Sequence, residues 1–184
     1  AKVPTLEVTT DDGERVVLFE SVVINEYLDE ATEGQMLPEE PLARARARAW
    51  IEYSNAVLSD VFALTSAKDH ASLAGVQAKL ASKLDRLEAE IGEGPFFLGS
   101  AISLVDAAFV PALQRLFWSN DLHAGLGIFA NRPKMKRWWE ALAARDSVKD
   151  SAVSDLRTQF EQMVGRDRGG YRSAIGRHVV QGAQ

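Results

Sequence analysis

Lys2-Val3-Pro4-Thr5-Leu6, Thr9-Thr10-Asp11-Asp12-Gly13, Val16-Val17-Leu18-Phe19 and Glu20-Ser21-Val22-Val23-Ile24-Asn25-Glu26-Tyr27-Leu28-Asp29-Glu30 follow one another at the head of the chain, and their order decides the fold. β-Branched residues on both sides of Asp12-Gly13 predict two short strands joined by a tight turn. Val23, Ile24, Tyr27 and Leu28 then recur at helical spacing, so Ser21–Asp29 reads as a short amphipathic helix whose apolar stripe must cover something. Gly34 is expected to end it. Two strands and one helix do not make a stable sheet layer alone, because isolated hairpins are marginal. The expectation is therefore a sequence that starts partway through a domain, with earlier strands and helices upstream of Ala1.

Leu37-Pro38-Glu39-Glu40-Pro41 is a proline-punctuated linker, and everything from Leu42 onward reads helical. Trp50, Tyr53, Val57, Leu58, Val61 and Phe62 predict one face of a long helix. Leu73, Val76, Leu80, Leu84, Leu87 and Ile91 step by three and four residues along the next. Glycines 92, 94 and 99 break the pattern. Ser103 and Asp106 then form an Asp variant of the capping box, with Ile102 placed as its hydrophobic staple. Pro111 predicts a kink or a lost hydrogen bond inside that helix. Asn131-Arg132-Pro133 opens another helix, carrying Met135, Trp138, Trp139 and Leu142. Val148, Leu156, Phe160 and Met163 form a last amphipathic stretch.

Composition narrows the function classes. The chain has 184 residues, 46% hydrophobic and 26% charged, with a formal net charge of −5, a profile of ordinary globular proteins. The acidic balance argues against nucleic-acid binding by bulk charge. No apolar run approaches the ~18 residues of a membrane span, so membrane and secretory readings have no support. There is no cysteine, which removes disulfides, Cys-based zinc sites and thiol nucleophiles from these residues. His70, His123 and His178 lie far apart without ligand spacing, so no metal is expected.

Two local features carry chemistry. A proline at the strand start, Pro4, fits an ordinary edge strand; with a cis bond it would instead free the Val3 N–H and C=O to pair with an extended ligand. Ser21 is a natural N-cap, and the first-turn amides behind it favour a carboxylate. Glu20 beside them suits an ammonium group. Together they match an α-amino-acid head group, although plain helix capping also fits the dipeptide.

With these residues in view, the stretch Lys2–Leu6, Leu18–Glu30 and Leu37-Pro38 resembles the end of the thioredoxin-like domain of cytosolic glutathione transferases. Phe97-Leu98-Gly99-Ser100 with Ile102–Asp106 resembles the helical-domain capping motif of that family. Pro133, Trp138, Leu142 and Arg145-Asp146-Ser147-Val148 resemble its next landmark, with Asp146 where the family usually has proline. The likeness covers roughly residues 1–160 and is nearest to bacterial, omega-like and tau-like members. It implies an α+β fold: a partial thioredoxin-like domain (1–34), a linker (35–41), an all-helical domain (42–165) and a tail (166–184).

The resemblance also implies roles. Val3 would bond the cysteinyl part of glutathione through its backbone, with Pro4 cis. Glu20 and Ser21 would hold the γ-glutamyl head, and Lys2 would reach the glycyl carboxylate. The thiol-activating Ser, Tyr or Cys of the family falls upstream of Ala1. The expected activity is transfer of glutathione to a small hydrophobic electrophile. The alternatives are an omega-like thiol reductase or lyase with an upstream Cys, or a non-catalytic relative that keeps the fold for binding or regulation. Tyr53, Val57 and Trp118 are candidates for the electrophile pocket, with Tyr171 a weaker one; each also fits core packing. A cytoplasmic homodimer is expected. Arg44, Arg46 and Arg48 alternate, so they share no helix face and read as a solvated helix start or subunit contact. The tail reads as a loose terminus or as a lid, whose removal after Gly165 would cost turnover without costing the fold.

Overall fold

The computed structural model describes residues 3–32, 34–167 and 172–181. Strand β1 (Thr5–Thr9) pairs antiparallel with β2 (Arg15–Phe19), in a register that sets Thr5 opposite Phe19 and Thr9 opposite Arg15. The connecting turn closes through the Gly13 N–H on the Thr10 carbonyl at 2.9 Å. Gly13 has φ 86° there, a backbone state that glycine enters without a Cβ clash. Helix α1 (Ser21–Ala31) follows directly. Its buried residue is Ile24, whereas Val23 and Leu28 are exposed, so the predicted stripe is narrower than the spacing suggested. The helix ends at Thr32 rather than at Gly34, the Thr32 hydroxyl donating to the Leu28 carbonyl at 2.7 Å.

The helical part comprises α2 (Pro41–Ser66), α3 (His70–Glu90), α4 (Leu104–Leu122), α5 (Pro133–Ala144), the short α6 (Asp146–Lys149), α7 (Leu156–Gly165) and α8 (Ala174–Gln181). Pro41 belongs to α2 rather than to the linker. Proline is suited to the first helical position because its missing N–H would be unpaired there anyway. Glu40 caps this start, accepting from the amides of Leu42 (2.8 Å) and Ala43 (2.6 Å), and these two bonds hold its carboxyl below the usual value. Helix α5 is capped from a distance: Glu88 on α3 accepts from the amides of Lys134 and Met135 at 2.9 and 2.8 Å.

The core gathers Trp50, Phe97, Phe109 and Trp138, with successive ring centroids 5.2–6.2 Å apart. Asp106 is fully buried beside them. Its carboxylate accepts from the Ser103 amide (2.8 Å) and hydroxyl (2.6 Å), the Phe97 amide (2.9 Å) and the Trp138 indole (2.6 Å). Helix α4 runs unbroken through Pro111, which has no N–H to give to the preceding turn. Phe62, expected on the inward face of α2, is exposed. The stretch read as one last amphipathic helix is divided into α6 and α7.

The described part of the tail is packed, not loose. Ala174 donates its amide to the Ala67 carbonyl at 2.7 Å, and Ser173, Ala174 and Ile175 are buried. Helix α8 thereby closes the bundle against α2, α4 and α7.

Candidate functional site

The Val3–Pro4 bond is cis. Val3, Pro4 and Thr5 line a cleft of about 300 Å³ together with Val17, Phe19, Glu20 and Ser21. The cleft brings the two chemical features of the sequence into one place. Thr5 and Phe19 enter it because they are opposite in the ladder. Val17 joins them because residues two apart on a strand share a face. These three were missed in the sequence, although period-two alternation after the hairpin turn was the signal that could have found them. Lys2 and Tyr171 lie outside the described residues.

The helix start differs from its expected form. Ser21 is the first residue of α1, and Glu20 is its N-cap, with φ 68° and ψ 115°. Such a conformation is strained for a side-chain-bearing residue and costs on the order of 1–3 kcal/mol. Its effect is local: the Glu20 carbonyl still accepts the first helical bond, from Ile24 at 3.0 Å, while no side chain caps the helix. The first-turn amides and the positive end of the helix dipole are thus left for an acceptor from outside. Glu20 and Ser21 are both exposed at the cleft. The arrangement offers a carboxylate receptor and an acidic side chain within one helical turn.

The electrophile candidates are not gathered in one cavity. Val57 is completely buried and packs in the core. Tyr53 is half-buried, edge-on to Trp50 at 5.2 Å, with the Arg86 guanidinium 5.2 Å from its ring centre. Trp118 packs on Phe160 at 5.4 Å and lines a separate hollow of about 190 Å³ with Gln114, Trp139 and Arg157. A larger, mainly apolar cleft of about 580 Å³ is lined instead by Met36, Ile102, Val110, Pro111, Arg145 and Val148. Among the described residues, no group of three or more His, Asp or Glu side chains is placed to hold a metal ion, and no helix is long and apolar enough to cross a membrane.

A family model for the glutathione S-transferase C-terminal domain matches residues 70–141. Glutathione S-transferase 3 of Zea mays is 31% identical over 158 residues, which cover 78% of this chain and 68% of the maize protein. The chain belongs to the glutathione S-transferase family. Glutathione S-transferase omega-1 of Sus scrofa is 29% identical over 157 residues, 84% of this chain and 60% of that protein. The crystal structure of rice GST1 (OsGSTU1) in complex with glutathione superposes with a TM-score of 0.69 at 30% identity, over 81% of this chain and 69% of the rice chain. The chain thus spans 60–69% of the length of these relatives. In glutathione S-transferase terms, the hairpin with α1 is the thioredoxin-like part of the fold and the helical bundle is the C-terminal domain.

Proposed function

We propose that the cleft between Val3-Pro4 and Glu20-Ser21 binds glutathione, and that the protein is a glutathione transferase acting on small hydrophobic electrophiles. The observation that carries this reading is the single cleft in which a strand-edge backbone meets an uncapped helix start next to an acidic side chain. The Val3 N–H and C=O pair with the cysteinyl backbone as a neighbouring strand would. The γ-glutamyl carboxylate docks on the first-turn amides and the Ser21 hydroxyl, and Glu20 takes the α-ammonium. Lys2 serves the glycyl carboxylate. These groups orient the tripeptide and hold its thiol beside the cis bend; none of them activates the thiol.

The proposed division of labour keeps residues 1–34 as the glutathione side and 35–40 as linker, with the helical domain starting at Pro41 and including α8. The Glu20–Glu30 stretch favours an omega-like or tau-like member, and similarity to the Sus scrofa omega-1 protein supports the same neighbourhood. A cytoplasmic homodimer with no metal, nucleic-acid or membrane partner completes the reading. Retention on immobilised glutathione tests it: the double variant Glu20→Ala, Ser21→Ala should pass through a column that holds the unmodified protein. Equal retention of both proteins defeats the assignment.

A further inference from the structure

The alternating arginines at the start of α2 do three different things. Arg44 pins the linker, donating to the carbonyls of Pro38 and Glu39 at 2.8 Å each. Arg46 reaches Glu90 on α3 at 3.4 Å. Arg48 crosses to α1, where its Nε lies 3.0 and 3.1 Å from the two carboxylate oxygens of Glu26 and its Nη2 lies 2.6 Å from Oε2.

We infer that Arg48 is a positioning residue for the ligand cleft: by clamping Glu26 it sets the rotation of α1 and hence the direction in which the amides at Ser21 point. This deepens the proposed function and rests on it. Glu26 lies little more than one helical turn beyond Ser21, so a rotation at one is transmitted to the other through a rigid backbone. Apolar contact at Val22 packs α1 against the core of the bundle, but such contact is non-directional. A planar guanidinium engaging both oxygens of a carboxylate is directional. The far end of α1 is fixed separately, through the Met36 amide on Asp29 at 2.7 Å and the Leu104 amide on the Met36 carbonyl at 3.1 Å. Between that anchor and Ser21, the Glu26 clamp supplies a directional contact from α2 beside the apolar packing of Val22. Glu26 and the nearby Glu30 both attract the Arg48 guanidinium, whose pKa is raised chiefly by its hydrogen bonds to Glu26.

The pair is partly exposed and so contributes little to global stability; the variants should fold. Glutathione titrations of the unmodified protein, Glu26→Gln, Arg48→Ala, Arg48→Lys and the swap Glu26→Arg with Arg48→Glu provide the first arm. The single neutral variants should bind about threefold to fivefold more weakly, the range an exposed bidentate pair can transmit. Arg48→Lys should fall between, because it keeps the charge and loses the fork. The swap should recover affinity to within about twofold of the unmodified protein.

Hydrogen exchange without ligand provides the second arm. Amides of α1 should exchange faster in Glu26→Gln while those of α4 and α5 do not change. Unchanged α1 exchange, unaltered affinity in the single variants, or a swap as weak as its parents overturns the inference. No binding by the unmodified protein overturns the functional reading instead, and the exchange arm then still decides whether Arg48 positions α1.

Discussion

The Trp138 indole donates to Asp106 at 2.6 Å, tying α5 to the first turn of α4 through a carboxylate that has no solvent exposure. Asp106 also satisfies the amides of Ser103 and Phe97. Asp106→Ala would take the acceptor from four buried donors at once, of which the Ser103 hydroxyl alone can rotate to seek another. Each such donor costs about 1–3 kcal/mol, so a loss on the order of 4 kcal/mol is expected in urea unfolding. Trp138→Phe leaves one acceptor position unfilled and should cost about 1–2 kcal/mol. Equal losses for the two would show that ring packing, not the carboxylate, holds this junction.

The capping box was legible because Ser103 and Asp106 carry their partner spacing in the chain. The Trp138 and Phe97 bonds were not, since nothing local shows which distant donor a buried carboxylate will find. The same division holds at the cleft. Val3-Pro4 and Glu20-Ser21 could be singled out from residue chemistry, but their meeting in one cleft is a product of the hairpin register. Phe62 shows the limit of periodicity: a long helix offers more apolar positions than one face can bury.

Acid should weaken the contact between α2 and α3. Asp60 is buried, which alone would raise its pKa, but Lys83 at 2.7 Å and Lys79 at 2.9 Å outweigh burial and hold its carboxyl below the usual value. A folded pKa below the unfolded value of about 3.9 gives stability that is present above that pH and lost as pH falls through the folded value. Stability measured by urea from pH 6 downward should therefore drop below about pH 4, and less steeply in Asp60→Asn. Parallel curves for the two proteins would rule the triad out as a source of the slope.

Truncation after Gly165 should unfold the bundle at lower temperature rather than merely open a lid. Ile175 is fully buried, and Ile175→Ala should cost about 2–5 kcal/mol. A Cβ on Gly176 would stand 2.2 Å from the Val164 carbonyl oxygen, so Gly176→Ala should cost at least about 1–3 kcal/mol by overpacking. Thermal unfolding of the three variants decides this. A truncated protein with an unchanged midpoint would restore the lid reading.

Glu20 separates stability from function. At φ 68° glycine is free of the Cβ penalty, so Glu20→Gly should leave stability unchanged or raise it by up to about 2 kcal/mol, the relieved strain less glycine's entropy. Glu20→Ala keeps the strain and gains nothing. Both should weaken retention on glutathione, since both remove the acidic group. Full retention by Glu20→Gly would mean that the backbone conformation matters and the carboxylate does not.

The most direct measurement is a glutathione titration followed by backbone amide shifts in isotope-labelled protein. The account predicts saturable shifts concentrated at the amides of Val3, Ser21, Val22 and Val23, abolished together in the Glu20→Ala, Ser21→Ala double variant. Shifts confined to residues around the apolar cleft of Val110 and Arg145, with the α1 amides unmoved, would contradict it.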